Sequence, residues 1–233
     1  MDQNFSLTTF SKSGKLQQIE NALSAVGNGE TALGIKAKDG VVIAVEKKPS
    51  SSLVDQSSIE KVQLVSDHCG ATYAGLTADF RVLMDHTRKL AQKYVYAYHQ
   101  ESLVMQICKK AASAMQESTQ SGGVRPYGIS LLVGGHDEEG PHLYQIDPSG
   151  AYIAWKATAL GKNMMNAKTF LEKRYNEDIE LEDAIHMAIL TLKEGFEGKM
   201  TENNIEIGVV GSDKKFRVLT PSQIKDYIDE VDQ

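Results

Sequence analysis

The chain has 233 residues, of which 41% are hydrophobic, and it carries a formal net charge of −6. This length and composition allow one large domain with a proper core. The negative charge argues against a nucleic-acid partner, because nonspecific affinity for phosphates comes from clustered Lys and Arg. No window contains an apolar run of secretory or membrane-spanning length, so we expect no membrane association and a place in the cytoplasm and nucleus.

The chain opens with a predicted amphipathic helix that is followed by a β-hairpin. Apolar residues recur at helical spacing through residues 16–26, and Gly27 is expected to be the helix C-cap. Segments 32–37 and 41–45 have the pattern of strands, and Asp39-Gly40 between them predicts a tight primed turn. The second strand, VVIAV, is apolar throughout. We therefore expect it to be covered on both faces.

Blocks of strands and pairs of helices follow. The strands KVQLVS and CGATYAGL precede one helix N-capped by Asp79 and another N-capped by Ser102. Three strands of a second sheet are then predicted, YGISLLVGG, HLYQID and AYIAWKA, with a turn at 147–150 joining the last two. Two helices, the strands NIEIGVVG and KFRVLT, and a C-terminal helix introduced by a capping box at 220–223 complete the chain. This order predicts an α+β fold in one domain, with two facing sheets and helix pairs outside.

The sequence indicates no metal site, no nucleotide-binding loop and no disulfide. None of the six histidines stands at a spacing that builds a known metal cage, and we expect no metal. The glycine-rich GNG and SGG lack the features of nucleotide-binding loops, and we expect no cofactor. Cys69 and Cys108 are far apart in sequence and are expected to be reduced core residues.

A threonine at the start of the first strand, Thr31, raises the question of threonine chemistry. Its hydroxyl would need a base, and one known solution uses the residue's own α-amine, whose pKa of about 8 suits that role. That solution requires cleavage between Glu30 and Thr31, which nothing in GNGET favours. A threonine-type peptidase activated by processing before Thr31 therefore stands as an alternative hypothesis.

Longer motifs identify a family. The segments FSLTTFSKSGKLQQIENAL, QSGGVRPYGISLL, DPSGAYIAWKATALGKN and FLEKRYNEDIELEDAI occur in this order. Together they resemble the α-type subunits of the proteasome core particle over residues 5–228. The resemblance implies the four-layer α-β-β-α sandwich of the N-terminal-nucleophile hydrolases. It also implies a gate tail at 1–11, an N-terminal helix at 12–28, and the sandwich with its C-terminal helix at 29–233.

The resemblance further implies a ring subunit without peptidase activity. In the related β-type pattern the nucleophile begins the first strand, an acidic residue ends the second, and a lysine starts the third. These positions fall on Glu30, Glu46 and Lys61 in this chain. A glutamate behind an N-terminal helix cannot act as the threonine does, so we expect no catalytic residue.

Docking of regulators is the first role that the resemblance implies in place of chemistry. Lys61 corresponds to the family lysine that pairs with the C-terminal carboxylate of an activator tail, and Leu16 and Gly75 correspond to other residues of that pocket. An ammonium suits a single carboxylate, and a glycine lets a peptide backbone approach closely. The alternative for Lys61 is an ordinary surface lysine at the start of a strand.

Gating is the second implied role. The tail, with Phe5, Ser6 and Leu7, would lie at the axis of a seven-membered ring. Phe5 stands where the family has its gate-turn tyrosine, Lys12 where proline is common, and Asn21 where tyrosine is common. These departures leave open whether this subunit contributes to the family's open-gate cluster.

The implied partners are those of the particle: six other α-type subunits, β-type ring subunits, regulatory-particle or activator tails, and unfolded polypeptides in transit during ubiquitin-dependent degradation. A third hypothesis is a free-standing binding protein with the same fold. It predicts a stable monomer, whereas a ring subunit must bury both lateral faces.

Overall fold

The fold is described by a computed structural model covering residues 8–49, 51 and 53–231. The helices in this part of the chain are α1 (Gln17–Gly27), α2 (Thr77–Tyr98), α3 (Val104–Gln120), α4 (Met164–Arg174), α5 (Leu181–Gly195) and α6 (Pro221–Val231). The strands are β1 (Ala32–Lys36), β2 (Val41–Glu46), β3 (Gln63–Ser66), β4 (Cys69–Gly75), β5 (Ile129–Asp137), β6 (Gly140–Ile146), β7 (Tyr152–Ala154), β8 (Ala157–Leu160), β9 (Ile205–Val210) and β10 (Arg217–Val218).

Two antiparallel sheets, each of five strands in the described residues, face each other between helices. The first sheet has the order β10-β9-β2-β1-β8, and the second has the order β3-β4-β5-β6-β7. One apolar cluster lies between the sheets, a second packs the first sheet against α4, α5 and α6, and a third packs the second sheet against α2 and α3. The predicted α+β sandwich of four layers is therefore confirmed.

Several local predictions are also confirmed. Every residue of β2 is buried, as its apolar run indicated. The capping box forms at α6, where the Thr220 amide donates to Gln223 Oε1 at 2.9 Å and the Gln223 amide donates to Thr220 Oγ1 at 3.4 Å. Cys69 and Cys108 are buried and free, and burial raises the pKa of both thiols. Both are therefore protonated near neutral pH.

The assignment of strands to sheets was wrong in one region. The segment AYIAWKA is not one strand, because it leaves the second sheet after β7 and enters the first sheet as β8. The Trp155 amide still donates to the Leu143 carbonyl of the second sheet at 2.8 Å, whereas the Lys156 carbonyl accepts from the Lys36 amide of the first sheet at 2.8 Å. The chain thus crosses between sheets within two residues. The sequence has the pattern of a strand both before and after the crossing, so the pattern alone does not reveal it. Nor is the second sheet assembled only here, because β3 and β4 also belong to it.

The two predicted N-caps were also wrong. Asp79 lies inside the first turn of α2, whose N-cap is Leu76. Its carboxylate instead accepts from the Arg125 guanidinium at 2.6 and 2.9 Å and from the Gly128 amide at 2.9 Å. The hydrogen bonds from Arg125 are the main cause that holds the pKa of the Asp79 carboxyl below its ordinary value.

The start of α3 is capped by a residue of strand β5. Its N-cap residue is Leu103, one position after the predicted Ser102. The carboxylate of Asp137, at the end of β5, accepts from the Val104 amide at 2.8 Å. A residue 33 positions away in sequence therefore supplies the cap that Ser102 was expected to give.

The first helix and the hairpin turn differ in detail from their predictions. Helix α1 begins at Gln17, later than the predicted segment 12–28, and its C-cap is Asn28 in a right-handed conformation, with Gly27 as the last helical residue. The turn at Asp39-Gly40 is not primed, because neither residue has a positive φ. Gly40 is needed for another reason: a Cβ there would lie 2.3 Å from the Val210 carbonyl oxygen. Asp39 Oδ1 meanwhile accepts from the Leu181 amide at the start of α5, at 2.8 Å.

The packing between the sheets generates a stability prediction at Gly208. A Cβ on Gly208 would meet the Phe216 ring at 2.4 Å and the Val62 side chain at 2.7 Å, and a Cβ on Gly70 would meet the same ring at 2.2 Å. Because glycines of both sheets press on this buried ring, it has no free side toward which to move. We expect Gly208→Ala to lower the free energy of unfolding by about 1–3 kcal/mol, as overpacking does, in equilibrium urea unfolding of the chain.

Gly27→Ala is the matched control for Gly208→Ala. A Cβ on Gly27 would have no neighbour within 4 Å, and the residue lies at the end of a helix. We expect its stability to be unchanged or slightly raised, because alanine is the better helix former. Equal urea midpoints for Gly208→Ala and the unchanged chain would contradict the packing argument.

Candidate functional site

The entry of β1 is held between the ends of the two sheets. A Cβ on Gly29 would lie 2.3 Å from the Gly75 amide nitrogen of β4, and a Cβ on Gly161, after β8, would lie 2.4 Å from the Glu30 carbonyl oxygen. Gly75 and Gly161 have φ values of +119° and +88°, which also favour glycine. The Gly29 carbonyl accepts from the Lys162 amide at 3.0 Å. The backbone of Gly29 and Glu30 is therefore fixed in position from both sides.

The side chain of Lys61 is the central cation of this region. Its ammonium forms an ion pair with the Glu30 carboxylate and stands 5.6 Å from the centre of the Tyr73 ring. The side chain of Lys61 is 9% exposed and that of Glu30 is 30% exposed. The Lys61 carbonyl accepts from Thr72 Oγ1 at 3.0 Å. Lys61 is thus a buried, oriented cation, unlike the surface lysine that composition alone would suggest.

Glu206 on β9 holds the backbone that carries Lys61. Its Oε2 accepts from the amides of Lys61 at 2.7 Å and Val62 at 2.9 Å, and its Oε1 accepts from the Lys47 ammonium at 2.9 Å. The Lys47 and Glu206 side chains are only 10% and 13% exposed. Sequence reasoning missed this residue. The signal was a single carboxylate inside the otherwise apolar strand IEIGVV, since such a charge needs a buried partner.

The three residues that the sequence predicts for the nucleophile, acid and lysine positions are each engaged in an ion pair. Glu46 is 3% exposed, and its Oε2 lies 3.3 Å from the Lys162 ammonium. Lys61 pairs with Glu30 instead. Thr31 is 2% exposed, and its hydroxyl, like Glu46 Oε1, has no hydrogen-bond partner in the described part of the chain. A buried hydroxyl without a base beside it is not an activated nucleophile.

Two residues assigned to the tail pocket lie on different elements. Gly75 ends β4 directly against Gly29, and so adjoins the segment that carries Glu30. Leu16 is half-buried, precedes α1 as its N-cap, and forms an isolated antiparallel bridge with Phe10. The geometry therefore connects Gly75 with Lys61 through Gly29 and Glu30, and it places Leu16 at the start of the covering helix.

The predicted gate residues lie partly outside the described residues, which is the case for Phe5, Ser6 and Leu7. Lys12 is exposed in the turn before α1. Asn21 is exposed on α1, where its Oδ1 accepts from Gln17 Nε2 at 3.1 Å. The two described members of this set are therefore on the surface.

Metal ligation and membrane crossing are two other classes of role. Among residues 8–49, 51 and 53–231, no three His, Cys, Asp or Glu side chains come together as metal ligands would. No helix in those ranges combines the length and the apolar character that a bilayer crossing needs.

Comparisons with known proteins agree on one family. A family model described as "Proteasome subunit" matches residues 26–210. The chain is 61% identical to proteasome subunit alpha type-2-A of Arabidopsis thaliana over 229 residues, which cover 98% of this chain and 97% of the relative. It is 60% identical over 229 residues to proteasome subunit alpha type-2 of Oryza sativa subsp. indica, with the same coverage. It is 56% identical over 225 residues to proteasome subunit alpha type-2 of Drosophila melanogaster, with coverage of 97% and 96%.

The buried position of Glu206 generates a prediction. In Glu206→Gln the amide can no longer neutralise Lys47, and one of its two terminal atoms is a donor that cannot accept a hydrogen bond. We expect a loss of about 2–4 kcal/mol in the free energy of unfolding, because a buried cation is left without its partner. Urea unfolding of the variant measures this loss.

Glu197→Gln is the matched control for Glu206→Gln. Glu197 also pairs with a lysine, Lys48, but their side chains are 70% and 62% exposed. We expect no measurable shift of its unfolding midpoint, since exposed ion pairs contribute little. If the two variants unfolded at the same urea concentration, the structural role of Glu206 would be refuted.

Proposed function

The chain belongs to the proteasome subunit family, and we propose that it gates the substrate entrance and docks regulators in the assembled particle. It is a non-catalytic, structural subunit of the outer ring of the proteasome core particle, and it assembles there with other proteasome subunits. This role fits ubiquitin-dependent protein degradation. The finer assignments that follow are inferred from the chain's own residues and from its family.

The lack of a catalytic centre agrees with the geometry of this chain. Glu30 occupies the position at which β-type subunits carry their nucleophile. Thr31, the residue that the alternative hypothesis would activate, is buried. Its amine is part of a peptide bond, so it cannot serve as the base. Because a carboxylate stands in the place of the nucleophilic hydroxyl, we assign this subunit a structural role.

The ring and the gate are proposed from the family. The subunit would join six other α-type subunits in a seven-membered ring, stack on a ring of β-type subunits, and act in the cytoplasm and nucleus. Residues 1–11, with Phe5, Ser6 and Leu7, would form the tail that closes or admits unfolded polypeptides. The exposure of Lys12 and Asn21 makes both available to neighbouring tails.

The docking role is carried by one observation, the fixed and nearly buried ammonium of Lys61 beside the glycine-lined entry of β1. Such a cation can pair with the terminal carboxylate of an inserted tail in a partly desolvated place, where the attraction is stronger than in bulk water. Gly75 adjoins the segment that carries Glu30, and the half-buried Leu16 at the start of α1 would offer an apolar contact. We therefore propose Lys61, Leu16 and Gly75 as this subunit's contribution to a pocket for activator tails.

The lack of processing is tested by the mass of the chain in purified particles. We expect the mature subunit to retain residues 1–30 and to resist labelling by a threonine-directed inhibitor that labels the β-type subunits. A chain shortened to begin at Thr31 and labelled by the inhibitor would establish the peptidase hypothesis instead. Native mass separates the remaining hypothesis, because a free-standing binding protein would be found as a stable monomer.

The docking role is tested with Lys61→Ala in assembled particles. We expect affinity for activator tails at this pocket to fall about tenfold, which corresponds to roughly 1.4 kcal/mol. Lys38→Ala is the control, because Lys38 also pairs with a glutamate but lies at the β1–β2 turn. Assembly should be normal in both variants. Equal tail affinity for Lys61→Ala and the unchanged particle would remove Lys61 from the pocket.

A further inference from the structure

We infer that Glu30 is an internal competitor for the activator tail: its carboxylate occupies the Lys61 ammonium, and a tail can pair with Lys61 only by displacing it. The inference rests on the proposed docking function of Lys61. It adds Glu30 as a residue that sets how tightly this subunit's pocket binds a tail and which tails it binds. The ligand chemistry is a peptide with a free C-terminal carboxylate.

Glu30 is held where its carboxylate must compete with that of a tail. The backbone of Gly29 and Glu30 lies against Gly75 on one side and Gly161 on the other, at distances that exclude any side chain. The following residue is fixed as well, because the Thr31 carbonyl accepts from the Glu46 amide at 2.9 Å. The Glu30 carboxylate therefore stays tethered within reach of Lys61 and acts at a high effective concentration.

The neighbouring lysines offer a tail no substitute for Lys61. Lys47 pairs with Glu206 at 2.9 Å, Lys48 with Glu197 at 2.8 Å, and Lys162 with Glu46 at 3.3 Å. In the described part of the chain, each lysine of this group already has its own carboxylate. An incoming tail carboxylate must therefore exchange with one that is present, and the proposed site of exchange is Lys61.

The side chains of Lys61 and Glu30 are unequally exposed to water. The Lys61 side chain is 9% exposed, and its backbone is fixed by Glu206 and Thr72. The Glu30 side chain is 30% exposed. Glu30 can therefore rotate toward water while Lys61 stays in place, so the displaced group is the carboxylate that water can solvate at small cost. The competition should be moderate, because a partly exposed ion pair is weaker than a fully buried one.

The exchange also predicts selectivity. A tail with a free carboxylate replaces the interaction that Lys61 gives up, whereas an amidated tail would leave both Lys61 and its own end less well paired. Removal of Glu30 should thus strengthen binding of carboxylate tails most. The gain should shrink as ionic strength rises, since the attraction between tail and ammonium is screened by salt.

The experiment uses assembled core particles carrying Glu30→Gln or Glu30→Ala in this subunit. The probes are fluorescent octapeptides copied from the C-termini of regulatory-particle subunits, each made with a free carboxylate and as its C-terminal amide. We expect both variants to bind the pocket's carboxylate peptide about three- to fivefold more tightly, the upper end of what an exposed ion pair contributes. We expect the amide's affinity to change less than twofold.

Glu60→Gln is the matched control for these variants. It makes the same change of charge at an exposed residue next to Lys61 in sequence, and we expect tail affinity to stay within about twofold of the unchanged particle. An equal gain in Glu60→Gln would assign the effect to net charge and overturn the inference. Unchanged or lower affinity for the carboxylate peptide in the Glu30 variants would overturn the inference as well. A lower affinity would mean that Glu30 positions Lys61 for the tail.

Lys61→Ala, measured in parallel, separates the two proposals. If Lys61→Ala weakens binding and the Glu30 variants do not strengthen it, the docking role stands and the competitor role fails. If Lys61→Ala has no effect, the docking role fails, and the competitor role fails with it.

Discussion

At the entry of β1, backbone segments approach each other too closely for any side chain to fit between them. This contact determines the arrangement of the whole site. Gly29 lies against Gly75 of the second sheet, and Gly161 of the first sheet lies against Glu30, so the entry of β1 joins the ends of both sheets. This contact sets where β1 begins and how the first helix meets the sandwich. It also sets where the Glu30 carboxylate must lie. The electrostatics of this end of the molecule therefore follow from a steric constraint.

Charged residues at this end are retained in pairs because burial leaves them no alternative. Glu206 satisfies Lys47 and two backbone amides, and Glu46 lies beside Lys162. Removing one partner of a buried pair costs more than the pair itself contributes, since the remaining charge is left without water or counterion. The acids and lysines at this end can thus be needed for structural reasons alone.

The sequence predicted what depends on local pattern and failed where distant residues decide. The apolar run of β2 and the capping box at Thr220 are local, and both were predicted correctly. The cap of α3 comes from Asp137, 33 residues away, and Asp79 is taken by Arg125, 46 residues away. The family resemblance supplied Lys61 and Glu30 as positions. Their ion pair, and the hydrogen bonds by which Glu206 holds the backbone of Lys61, depend on how three distant segments meet. They could not be inferred from spacing.

Glu30 joins the lost activity to the proposed docking role through one chemical property. A carboxylate at the start of β1 has neither a nucleophilic hydroxyl nor a free amine beside it, so it cannot carry out the threonine-type reaction. The same carboxylate neutralises Lys61, a cation that its low exposure would otherwise make costly. A neutral residue without a nucleophilic group, such as glutamine, would equally lack this reaction, but it would leave Lys61 open to an outside carboxylate. In the proposed docking role, the charge of Glu30, beyond the mere absence of threonine, would therefore set how available this subunit is to its regulators.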